Sequence, residues 1–86
     1  MKAYYYILQR NFKWRLPSGY RFDSFKNAVL AAMQQAILHQ NDHPDEEVDI
    51  IIYEVVNPLH HVCVLHESVN NVLSHINLDN LYNPES

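Results

Sequence analysis

The stretch between Val48 and Glu67 constrains the fold more than any other part of this chain. VDIIIYEVV (48–56) and HVCVLHE (61–67) are two apolar runs separated by NPLH. β-Branched and aromatic types dominate both runs, and Asn57-Pro58 supplies a turn, so the pattern predicts an antiparallel hairpin. With Val56 set opposite His61, Ile52 falls opposite Leu65 and Tyr53 opposite Val64. Val48, Ile50, Ile52, Cys63 and Leu65 then share one face, and Ile51, Tyr53, Val55, Val62 and Val64 share the other. A hairpin that is apolar on both faces needs cover on both. One face is expected to take a helix; the other needs a second helix, a loop or another chain.

The first helix is well marked. Phe25, Ala28, Val29, Ala32, Met33, Ala36 and Ile37 recur at helical spacing, with Leu30 and Leu38 widening the stripe. Asp23 or Ser24 can cap its start, and Pro44 within QNDHPDEE (40–47) stops it, which predicts a helix over about residues 24–40. A second helix is expected from about Ser68, because Val69, Val72, Leu73 and Ile76 keep the spacing i, i+3, i+4, i+7. At the other end AYYYILQ (3–9) reads as a strand. From Arg10 to Leu16 the chain alternates, with Phe12, Trp14 and Leu16 inward and Asn11, Lys13 and Arg15 outward. Residues 11–16 are read as a second short strand, an ordered loop being the alternative, before the turn Pro17-Ser18-Gly19. The order predicts an α+β two-layer sandwich: a mostly antiparallel sheet of three or four strands with two helices. Eighty-six residues make a single domain, 1–86, with 79–86 expected as a loosely ordered tail.

Charge divides the chain. All six cations, Lys2, Arg10, Lys13, Arg15, Arg21 and Lys26, lie in the first 26 residues, where Asp23 alone opposes them. Residues 27–86 hold nine acids and neither Lys nor Arg, and the net charge is −4. Eight of the ten aromatic residues also fall in the first 25. The segment NFKWRLPSGYRF (11–22) therefore interleaves rings and cations, while NDHPDEEVD (41–49) concentrates acids. An electrically polarised body steers encounters with a charged partner.

Catalytic signatures do not emerge. Six histidines invite a metal, but His60 and His61 are adjacent on a strand and point apart, and the break at Pro44 is expected to separate His39 from His43. No paired cysteines or HExxH motif accompanies them. Cys63 sits between Val62 and Val64, where a small buried hydrophobe is expected, and its half of the chain lacks the cations that activate a thiol. A single glycine, Gly19, leaves no phosphate-cradling loop. The expectation is a non-enzyme with neither metal nor cofactor. The unpaired cysteine and the want of a leader-like or membrane-spanning segment suggest a cytoplasmic protein with no membrane partner.

The function read from these features is binding of another protein. Trp14, Tyr20 and Arg21 are the expected hot spots, since Trp, Tyr and Arg dominate interface energetics. Lys13 and Arg15 extend that contact, and Asp45, Glu46 and Glu47 form an acidic counterpart that could dock on a basic partner. Two other readings use the same residues. Rings beside cations suit single-stranded nucleic acid, and an uncovered hairpin face suits a homo-oligomer.

Met1-Lys2-Ala3 followed by Tyr and Ile, and then a helix after a polar strand, resembles small phage-encoded inhibitors of bacterial CRISPR complexes over about the first 35 residues. That resemblance implies binding to a CRISPR effector and blocking its access to DNA. The small-residue helix after a strand also looks like antitoxins of the HicB type, whose usual glycines this chain lacks.

Overall fold

The computed structural model describes residues 2–10 and 13–75. The elements are β1 (Ala3–Arg10), β2 (Trp14–Pro17), α1 (Phe25–Asp42), β3 (Asp49–Asn57), β4 (His60–Ser68) and α2 (Val69–His75). The strands form one antiparallel sheet in the order β2-β1-β3-β4. This is the α+β arrangement that the sequence predicts. Residues 11 and 12 and the tail from 76 onward, including Ile76 and the span 79–86, lie outside the described residues.

Local chemistry sets the ends of α1. The Ser24 hydroxyl accepts from the Asn27 amide at 3.1 Å, and the His43 amide donates to the His39 carbonyl before Pro44 ends the helix. Ala28, Ala32 and Ala36 make one side of α1 narrow, so Val29 and Met33 can lie close against β1 and β3. The core joins these to Tyr6 and Leu8 of β1, Ile50 and Ile52 of β3, and Val48. Fully burying each large aliphatic side chain contributes about 1.5–3 kcal/mol. The Val69 amide donates to the Val48 carbonyl at 2.8 Å, which anchors α2 so that Val69 and Val72 enter the same core.

Both helices therefore pack into one core on one side of the sheet, and neither covers the other side. By register that helix-free face carries Tyr5 and Ile7 from β1, Arg15 from β2, Ile51, Tyr53 and Val55 from β3, and His61 and His66 from β4.

The hairpin departs from its expected register. Ile52 does pair with Leu65, but Tyr53 pairs with Cys63, Glu54 with Val62 and Val55 with His61. The extra residue, Val64, is a β-bulge. It moves Cys63 onto the helix-free face, where it is exposed, and moves Val62 onto the face of Ile52. The buried setting expected for Cys63 is thus corrected. Two further residues expected inside lie out: Leu16 is 54% exposed on the edge strand, and Leu38 is 58% exposed on the outer flank of α1. Among the described residues the second strand runs from Trp14 to Pro17, one residue past its expected end. Pro17 can close it because β2 is an edge strand.

Candidate interaction surface

The helix-free face brings together rings that are far apart in the sequence. Tyr5 and Tyr53, directly opposite on the two central strands, stack with centroids 5.2 Å apart and planes 16° from parallel. The Tyr5 hydroxyl is 2.9 Å from His61 Nδ1, and the His61 ring meets the Tyr5 ring edge-on at 5.5 Å. Burial pushes the Tyr5 phenol above its ordinary value, helped by Tyr53, while the charges of Arg21 and Arg15 pull the other way. Arg15 shares this face by register, and Arg21 lines the cleft beside Tyr5.

The loop after β2 forms one wall of a cleft of about 220 Å³ beside Tyr5. The Ser18 amide donates to the Tyr6 carbonyl at 2.9 Å, so the loop starts on the edge of β1. Phe22 rejoins β1 through paired bonds with Tyr4, of 2.9 and 2.7 Å. Between these anchors the chain must bulge outward. Gly19 takes φ +80°, a left-handed value that suits glycine, and the Ser18 hydroxyl donates to the Tyr20 carbonyl at 2.7 Å. Tyr20 and Arg21 are left exposed, and with Tyr5 and His61 they line the cleft. The Tyr20 ring packs on the Phe22 ring, centroids 4.9 Å apart, and Phe22 in turn stacks on Tyr6 of the core.

The opposite end of the molecule gathers the remaining residues singled out by the sequence. Because α1 carries the chain from Phe25 near Tyr4 to His39 near Trp14, the acidic segment after it arrives beside the basic β1–β2 turn. Trp14 is half-buried against His39, with ring centroids 4.6 Å apart. Glu46 bridges Arg10 and His39, its Oε2 lying 3.3 Å from His39 Nε2. Burial alone would raise the Glu46 carboxyl. The His39 hydrogen bond and the charges of Arg10, His43 and His39 outweigh it and hold the group below the usual glutamate value. Lys13, Asp45 and Glu47 are exposed around this cluster.

The eight candidate residues thus fall into two sets. Arg15 belongs with the helix-free face, and Tyr20 and Arg21 line the cleft at its edge, the Tyr20 ring packing on Phe22; Lys13, Trp14, Asp45, Glu46 and Glu47 belong to the far end. The separation of charge along the sequence is partly undone in space, since Arg10 pairs with Glu46 and Lys2 with Glu54 at 3.4 Å. It persists on the helix-free face, where Asp49 is the one acid that the register places among the described strands, 3.8 Å from His66. Tyr5, Tyr53 and His61 were not among the candidates, because their meeting depends on a strand pairing between residues about fifty positions apart.

The expected separation of His39 from His43 is also corrected. The helix continues to Asp42, and the two rings lie 4.7 Å apart. Among the described residues, no group of three His, Cys, Asp or Glu side chains is placed to hold a metal ion. None of their helices is long and apolar enough to cross a membrane. No protein-family model matches the chain, and no curated protein or solved structure matches it significantly.

Proposed function

We propose that this protein is a small non-enzymatic binding module whose partner is another protein, held by the helix-free face of the sheet. One observation carries the reading: on a face that neither helix covers, Tyr5 stacks on Tyr53 and meets His61 edge-on, with Arg15 on the same face and the exposed Tyr20-Arg21 loop across the adjoining cleft. Tyr and Arg anchor protein interfaces because they combine large contact area with directed hydrogen bonds. The resemblance to phage-encoded CRISPR inhibitors gives this reading its specific form, a cytoplasmic inhibitor that occupies a CRISPR effector. The test is capture of a stoichiometric complex that resists nuclease. Wild type should recover it, and Tyr20→Ala/Arg21→Glu should lose it while keeping its far-UV circular dichroism. Equal recovery by the folded variant would refute the surface.

A second reading has its own support. Arg15 and Arg21 flank Tyr5 on a face with a single acid, an arrangement on which bases can stack while phosphates meet guanidinium groups. Binding of single-stranded oligonucleotides that falls steeply with salt, and is lost in Arg15→Ala/Arg21→Ala, would favour it over the protein partner.

A further inference from the structure

The two edges of the sheet are protected unequally. β2 is four residues long and ends in Pro17, which has no amide to offer a neighbour. β4 is nine residues long and contains no Pro, Lys or Arg. His60 through Val64 are all exposed, with Val62 38% and Val64 40% exposed, and among the described residues no strand pairs with the outer side of β4. The bulge at Val64 is the one edge-protecting device on β4, and a second strand can pair with this edge only in a register that accommodates it.

The geometry points to a second copy of this chain as that strand, with β4 pairing antiparallel to β4 across a two-fold axis between Cys63 and Val64. The bulge narrows the choice of register, and side-chain chemistry settles it. Residues opposite one another in an antiparallel pair must lie on the same face of the joined sheet. Leu65 and Glu67 lie on the helix-covered face, opposite Ile52 and Ile50, while His66 lies on the helix-free face, opposite Ile51. On the other side of the bulge the parity is reversed. Val62 and, by alternation, His60 share the helix-covered face, and His61 lies on the helix-free face. Two pairings match faces on both sides of the bulge. One sets Val62 against Glu67 and Cys63 against His66. The other sets His60 with Glu67, His61 with His66 and Val62 with Leu65, each formed twice by the symmetry. The second places apolar against apolar and imidazole against carboxylate, and is the one assigned. In a strand without the extra residue this register would set inward side chains against outward ones.

The resulting ladder is self-complementary. Cys63 opposes Val64 at the axis, and Val62 against Leu65 on either side continues the apolar centre. Near each end the His60 imidazole faces the Glu67 carboxylate, a donor opposite an acceptor. A ladder of this kind extends the four strands to a continuous eight-stranded sheet. It neither requires nor blocks the contact assigned above to the helix-free face.

The full chain should run in size-exclusion chromatography with light scattering at twice its 10.2 kDa mass at about 100 μM, a concentration suited to interfaces of modest size. Val62→Lys should give the monomer mass with unchanged circular dichroism. Glu67→Lys should weaken the dimer several-fold, and His60→Glu/Glu67→Lys should restore it, which a dimer built on any other surface would not do. The two Cys63 residues sit diagonally across the axis, and strand spacing and rise put their Cα atoms about 6 Å apart, within disulfide range. Diamide, which joins two thiols as a disulfide and is itself reduced to the hydrazine, should therefore give a covalent dimer from wild type and none from Cys63→Ser. This readout decides the matter if Val62→Lys fails to fold. A wild-type monomer at 100 μM, a dimer indifferent to Val62→Lys, or a charge swap that restores nothing would overturn the pairing, as would an edge that binds only foreign strand-forming peptides.

Discussion

The two faces of the sheet are made by the same strands and treat their side chains in opposite ways. Beneath the helices the packing is aliphatic and small: Leu8, Ile50 and Ile52 meet three alanines and a valine of α1, and no polar or charged residue is buried there. On the other face the side chains at the centre are Tyr5 and Tyr53, joined to His61 and bordered by arginines. Dense aliphatic contact yields stability without directional information. Rings with hydroxyl and imidazole groups yield less stability per contact but carry shape and hydrogen-bond direction. The lesson is a division of labour by side-chain parity: a step from Ile52 to Tyr53, or from Tyr6 to Tyr5, passes from the core to a ring on the recognition face, although Ile51 and Val55 on that same face are buried and add to the fold.

The largest expected effect tests the first half of that contrast. Ile52→Ala, at a fully buried site, should cost about 2–5 kcal/mol in chemical denaturation, the sum of lost transfer energy and a residual cavity. Its neighbour on the opposite face gives a smaller effect. Tyr53→Ala removes one stacked ring and should cost about 1 kcal/mol. A loss equal to that of Ile52→Ala would break the contrast, because it would mean that the helix-free face is also packed as core.

The smallest effect lies at the end of the helix-covered face and is read from its pH dependence. The Glu46 carboxyl is held below its ordinary value in the folded chain, so it binds its proton more readily when the chain unfolds. Its contribution is therefore complete above the unfolded glutamate value and is lost as pH falls through the lower folded value. Thermal melts from neutral pH downward should show wild type losing stability in that window. Glu46→Gln should show a flatter profile that meets the wild-type curve at its acid end. Parallel curves would remove the Arg10–Glu46–His39 cluster from the account of stability.

Much of the architecture was legible because it rests on periodicity. The small-residue stripe of α1, the hairpin turn at Asn57-Pro58 and the strand at Ala3 are local patterns, and each lies close to its expected span. What escaped were choices made by tertiary contacts. The bulge at Val64 has no local marker, since valine is at home in a regular strand, yet that one residue reassigns the faces of Cys63 and Val62. Leu38 fits the helical period, but it falls outside the stripe of Ala28, Val29, Ala32, Met33 and Ala36 that α1 buries. The candidate surface was half visible. Arg15, Tyr20 and Arg21 stood out by composition, whereas Tyr5 and Tyr53 looked like ordinary strand residues until β1 and β3 were known to be neighbours. The charge contrast between the halves of the chain likewise gave no hint that α1 would bring Glu46 back to Arg10.

The strand order has a consequence for the time course of folding. β1 sits between β2 and β3, and its pairing with β3 joins the start of the chain to residues 40 to 52 positions later. During synthesis the first strand can meet β2 early, but its other side stays vacant until Asn57 has left the ribosome. Closing so large a loop is entropically slow, so assembly of the central pair, rather than formation of α1 or the β3–β4 hairpin, should set the rate at which the newborn chain becomes native.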